Sequence, residues 1–282
     1  MFSRRWIINY VLIVLIVVFA YIGNRYDVET GYKSKPNVTG LDAAEIESIE
    51  IRTADGSLSL RRDGGGWLVE SPIRWPGNNI NVERLLDIVN SGTDSRLAAD
   101  AIDLSTLGLD FPKAMLRLND TRVLFGTTNN IGERRYTMIG STVFLLPDVH
   151  LPFIIQGLTG FVDRRLLPKK LGLEALRLPG LPIERAGDQW RAAGTDFDHG
   201  QLQQLVDNWQ GLEASRIKPH RATGTPRQKI EARFADGQTL ELYLMSIDPE
   251  IVIANPQTGL QYHFSDDLYY QLISLGGDEN PA

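Results

Sequence analysis

An internal repeat restricts the fold more than any other feature of this chain. Leu58-Ser59-Leu60-Arg61-Arg62-Asp63-Gly64-Gly65-Gly66-Trp67 and Leu181-Pro182-Ile183-Glu184-Arg185-Ala186-Gly187-Asp188-Gln189-Trp190 each run an alternating apolar strand into a glycine turn and a second strand opened by tryptophan. That period-2 pattern is the mark of a hairpin buried on one face. Downstream, Val82, Leu85, Leu86 and Val89 match Leu202, Leu205, Val206 and Trp209, the apolar stripe of an amphipathic helix in each copy. Asn81 and Asp198 are the expected N-caps, and Ser95-Arg96 and Ser215-Arg216 follow at the same distance. A third block aligns Ala114 to Thr121 with Ile230 to Gly237, where Asn-Asp and Asp-Gly turns join antiparallel strands. Each copy closes with further strand, Tyr136 to Met138 and Val143 to Leu146 or Ile251 to Ala254 and Gln261 to Phe264. A short helix then ends it, Leu151 to Gly157 or Asp267 to Leu275.

A unit of about 110 residues, used twice, sets the domain count before any motif is considered. The predicted fold class is α+β: an N-terminal transmembrane helix, then two tandem, internally duplicated antiparallel-sheet-plus-helix modules. The expected boundaries are a cytoplasmic tip and anchor over 1–24, a stalk over 25–42, modules over 43–168 and 169–275, and a frayed tail over 276–282.

The anchor rests on the stretch from Trp6 to Asn24, which holds no charged residue. About 19 residues at a rise of 1.5 Å cover roughly 28 Å, close to the hydrocarbon thickness of a bilayer. Its β-branched residues would favour strand in water, but in lipid a lone segment satisfies its backbone only as a helix. Arg4 and Arg5 precede the span and Arg25, Asp27 and Glu29 follow it. The positive side stays in the cytoplasm, which places the modules in the periplasm, outside a bacterial inner membrane. A cleaved signal peptide is the competing reading; against it, the run exceeds the usual apolar region and Val18-Phe19-Ala20-Tyr21 lacks small residues at cleavage spacing.

Composition narrows the chemistry. The 282 residues contain no cysteine, which excludes disulfides, thiolate metal sites and cysteine nucleophiles. Apolar side chains make up 43% and charged ones 23%, enough for a sizeable core. A net charge of −6 offers no field for phosphates, so nucleic acid is not an expected partner.

The first copy also carries Gly66-Trp67 at a strand start, Pro72, the amphipathic helix, Leu107-Gly108-Leu109-Asp110-Phe111-Pro112, Phe125-Gly126, Tyr136 and Phe161-Val162-Asp163-Arg164-Arg165-Leu166-Leu167. In that order and spacing, residues 44–168 resemble the bacterial family catalogued as domain of unknown function 4340; the second copy lacks the Gly-Leu-Asp-x-Pro segment. Members of that family are commonly single-span or exported, and some are encoded beside gliding-type ABC transport components. The resemblance therefore implies an accessory role in an envelope assembly, and it carries over no catalytic residue and no cofactor.

Local motifs add little chemistry. Ser215-Arg216-Ile217-Lys218 fits the Ser-x-x-Lys pattern of penicillin-interacting enzymes, but no Lys-Thr-Gly strand accompanies it. Gly64-Gly65-Gly66 lacks the Lys-Ser/Thr of a phosphate loop and reads as a turn. His150, His199, His220 and His263 stand apart in sequence without metal-ligand spacing. The one basic cluster, Arg164, Arg165, Lys169 and Lys170, is either a partner or headgroup contact or a solvated linker paired with Asp163 and Glu174. Trp75 sits in a loop found only in the first copy, as an exposed contact or as core under that loop. These five residues are the candidate partner contacts, and no metal or cofactor is nominated. The expected function is a non-catalytic, inner-membrane-anchored periplasmic accessory or scaffold protein that binds another envelope protein. The alternatives are a periplasmic enzyme acting on cell-wall polymer or glycan, and a lipid- or polymer-binding module.

Overall fold

The computed structural model describes residues 37–129, 132–168, 171–193, 197–221 and 226–275. The apolar run over 6–24, most of the expected stalk, Lys169, Lys170 and the tail from 276 lie outside the described residues. Among the described residues, no helix is long and apolar enough to cross a membrane.

Alternating apolar residues form two antiparallel sheets. The first contains β1 (Ser48–Thr53), β2 (Gly56–Asp63), β3 (Gly66–Ser71), β4 (Trp75–Pro76), β5 (Arg96–Ala98), β6 (Ala114–Leu118), β7 (Thr121–Asn129), β8 (Arg134–Ile139) and β9 (Thr142–Pro147). The second contains β10 (Leu173–Leu178), β11 (Leu181–Ala186), β12 (Gln189–Ala192), β13 (Arg216–Pro219), β14 (Gln228–Phe234), β15 (Thr239–Ser246), β16 (Glu250–Asn255) and β17 (Leu260–Ser265). Their orders are β4-β3-β2-β1-β6-β7-β8-β9-β5 and β12-β11-β10-β14-β15-β16-β17-β13. Apart from the extra edge strand β4, the second sheet repeats the first strand for strand. The repeated Ser-Arg pairs sit where the last edge strand of each sheet begins, at β5 and β13.

Period 2 sends Ile49, Ile51, Leu58, Leu60, Trp67 and Val69 into the first core and Leu176, Leu178, Leu181, Ile183 and Trp190 into the second. Helices α1 (Asn79–Leu86) and α4 (His199–Gly211) add Val82, Leu85 and Leu86, and Leu202, Leu205, Val206 and Trp209. Most of the buried apolar residues of both modules form one continuous cluster.

Asp198 caps α4 with a full capping box, as expected. The cap of α1 differs: it is Asn78, whose side chain accepts from the Asn81 amide at 3.2 Å, so the helix starts before the expected cap. Asn81 is instead committed to tertiary structure, its side-chain amide donating to the Gly160 carbonyl at 2.7 Å. The helix expected over Leu151 to Gly157 is shortened to α2 (Leu151–Ile154), and after Gly157 at φ 57° a second turn not expected from the sequence, α3 (Leu158–Phe161), follows. In the second module a 3-10 turn, Asp266–Leu268, leads into the single turn α5 (Tyr269–Leu272). The end of the expected stalk lies against the first module: Val38 is buried on Phe144 and Leu146, and its amide donates to the Ser91 carbonyl at 3.1 Å.

The Gly-Leu-Asp-x-Pro segment has a structural use. Its loop crosses β7 at Gly126, where the Thr127 amide and hydroxyl both donate to the Leu107 carbonyl, at 2.8 and 3.0 Å. A Cβ on Gly126 would overlap that carbonyl oxygen, so the crossing requires glycine.

Candidate functional site

The loop present only in the first copy builds β4, and β4 is what lets the two sheets meet. On one side β4 pairs with β3, Leu68 opposite Pro76 and Val69 opposite Trp75. On the other lies the segment that joins the modules: the Asp163 amide donates to the Pro76 carbonyl and the Asn78 amide to the Phe161 carbonyl, both at 2.8 Å. The same segment then reaches the approach to β13, where Arg165 bridges Glu213 and the Ala214 amide donates to the Arg164 carbonyl at 2.9 Å. Residues 161–165 thus form a strap stitched to an edge of each sheet. Phe161, Val162, Leu166 and Leu167 are buried, and Asp163, Arg164 and Arg165 between them are only partly exposed.

The strap's arginines have different tasks. Arg165 divides its guanidinium between Asp163 at 3.1 Å, the expected partner, and Glu213 of the second module at 2.7 Å. Arg164 donates from Nε to the Ala214 carbonyl at 2.7 Å and from Nη2 to the carbonyls of Ala214 and Ser215. These carbonyl partners orient its charge without neutralising it.

Trp75 takes the core alternative: it is 8% exposed. It lies beside Tyr262 of the second module, whose buried hydroxyl meets no partner in hydrogen-bond geometry among the described residues. Burial, reinforced by the negative charge of Asp163, pushes the Tyr262 phenol above its ordinary range. Trp75 and Tyr262 therefore meet at the seam between the modules.

Above this seam an open cleft of about 380 Å³ is lined by Asn78, Asn79, Ile80 and Arg84 of the α1 region and by Asp163, Arg164, Arg165 and Glu213. A smaller cleft of about 190 Å³ shares Gly77, Asn79, Asp163 and Arg165 with it and extends to Trp67. Together they bring Arg164 and Arg165 of the candidate contacts to one place, with Trp75 buried nearby. Arg84, Ile80 and Glu213 join the site only through the fold, because the register linking residues 77, 162 and 213 leaves no local signal in the sequence.

The other motifs resolve into structural roles. Ser215 donates its hydroxyl to the His263 carbonyl at 2.8 Å, and Lys218 lies on β13 rather than one helical turn from a serine. Gly64 and Gly65 make the β2–β3 turn at φ 55° and 85°. His263 Nδ1 meets Glu250 at 3.0 Å, and Glu250 also pairs with Arg216 at 2.5 Å; the histidine contact, then Arg216, holds the Glu250 carboxyl below its usual range. His150 Nε2 lies 3.1 Å from the Ser91 hydroxyl. Among the described residues no group of three His, Asp or Glu side chains is placed to hold a metal ion.

Fold and seam together define an α+β protein of two sheet modules with a shared strand order, joined by a strap and an extra edge strand. The chain belongs to the family described as Domain of unknown function (DUF4340), whose match spans residues 67–227, more than half of its length. That match does not stop with the first module as the resemblance suggested; it runs through the strap into the second and includes every residue lining the larger cleft. No curated protein and no solved structure matches the chain.

Proposed function

We propose that this is a non-catalytic scaffold or accessory protein of the bacterial envelope, anchored in the inner membrane by residues 6–24 and docking another envelope protein in the cleft at the module junction. The observation that carries this reading is the cleft itself, open to solvent and walled by groups from both modules and the strap. Support for a docking role also comes from the charge economy of the site. Asp163 and Glu213 share Arg165 as ion-pair partners, an arrangement that suits holding a surface in shape better than acid–base chemistry. The anchor and periplasmic placement rest on the uncharged run and the arginines before it. Family resemblance makes a component of an ABC-transport-type assembly the first partner to look for.

Two measurements test the proposal. A photo-crosslinking residue at Ile80 of the full-length chain, activated in living cells, is expected to capture a discrete envelope protein. The same residue at Arg122 on β7, five strands from β4 in the sheet order, is expected to capture none. Equal or absent crosslinking at both positions contradicts docking at the cleft. A C-terminal reporter enzyme that works only outside the cytoplasm is expected to be active, and its inactivity would overturn the proposed topology.

A further inference from the structure

We propose that the junction cleft recognises an acidic peptide segment, laid along β4 and the strap with its carboxylates against Arg84 and Arg164. The inference rests on the docking role above and specifies the chemistry of the partner. Three arginines and two carboxylates line the larger cleft, and Arg165 already serves both carboxylates. Among the described residues Arg164 is held only by carbonyl oxygens and Arg84 has no partner. Two guanidinium charges are therefore uncompensated in one cleft of a chain whose net charge is −6. A planar guanidinium presents paired N–H donors that match a carboxylate, and such charge-assisted bonds are stronger than neutral ones.

The shape favours a chain over a small ion. The two clefts are contiguous through Gly77, Asn79, Asp163 and Arg165, which makes a path along the seam. At its rim Ile80 is 62% exposed, an apolar contact that a lone anion would leave unused. At the far end the smaller cleft borders Trp67 and Leu68 of β3. Each of these features suits an extended segment that alternates carboxylates with an apolar side chain.

The test uses the full-length protein in nanodiscs and two fluorescein-labelled probes, Glu-Glu-Leu-Glu-Glu and its uncharged counterpart Gln-Gln-Leu-Gln-Gln, read by fluorescence anisotropy. The acidic probe is expected to bind about tenfold tighter or better than the uncharged one, and Arg84→Glu to weaken it by about tenfold, with Arg84→Gln between. Arg84 is exposed and unpartnered among the described residues, so its variants are expected to keep the wild-type melting temperature. Arg122→Glu, equally exposed on β7, is expected to leave binding unchanged. Equal affinity for the two probes, or no effect of the Arg84 variants, overturns the proposal. Displacement of the acidic probe by inorganic phosphate at matched anion concentration also overturns it, in favour of a free oxyanion. If neither probe binds while Ile80 still crosslinks to a partner, the ligand class is wrong and docking stands; if the crosslink is also absent, the docking reading itself fails.

Discussion

Arg165 concentrates the seam's electrostatics in one side chain. Removing it leaves Asp163, mostly buried, and Glu213, half-exposed, without a counter-charge. Arg165→Ala is expected to cost about 1–2 kcal/mol, less than a fully buried pair because solvent screens the Glu213 side. Arg165→Lys should recover only part of this, since an ammonium cannot fork between two carboxylates; urea midpoints of the three proteins check the order. A second residue ties stability to pH. Burial holds the pKa of His150 below the ordinary imidazole value, with Asp87 and Asp148 pulling partly back. The folded chain thus keeps His150 neutral, whereas the unfolded chain takes up its proton near pH ~6.5. Below that pH the unfolded state binds more protons, so His150's contribution is intact above it and is lost as pH falls toward the lowered folded value. His150→Gln is expected to lose less stability than wild type between about pH 7.5 and 5.5, and an equal loss would contradict this account. Neither role was legible in the sequence. A lone histidine or a basic pair has no local signature of what faces it, and the contact that specifies Arg165 comes from a residue 48 positions away.

At the scale of elements, the long periodic features were legible and the short ones were not. Both hairpins, both helical stripes and the paired turns could be read because apolar periodicity accumulates over several residues. The start of α1 could not, because Asn78, Asn79 and Asn81 are all acceptable caps and only the tie from Asn81 to Gly160 decides among them. β4, β5 and β13 hold two to four residues each, too few for alternation to declare a strand. Trp75 was ambiguous for the same reason: its burial depends on β4 pairing with β3 and on Tyr262 from the other module. The Leu107 to Pro112 loop was legible as a motif but not as a mechanism; its contact with β7 at Gly126 supplies one. Gly126→Ala is expected to destabilise by about 1–3 kcal/mol by forcing the loop off the Leu107 carbonyl. A melting temperature equal to wild type would show that the loop does not need this close approach.

For the molecule as a whole, the repeat suggested two units but not how they are joined. Most of the buried apolar residues run without a break from one module to the other, and the strap bonds to an edge of each sheet. The cleft exists only because of that union, with one wall from α1, one from the strap and one from the segment before β13. If either sheet could open alone, the arginines of the proposed docking site would not be held in register. The most direct measurement is therefore backbone hydrogen exchange on the intact chain across a denaturant series, following Ile49 and Ile51 of β1 against Ile251 and Ile253 of β16. The account predicts that both pairs lose protection together in one transition. Exposure of β16 at a denaturant concentration that leaves β1 fully protected would contradict it.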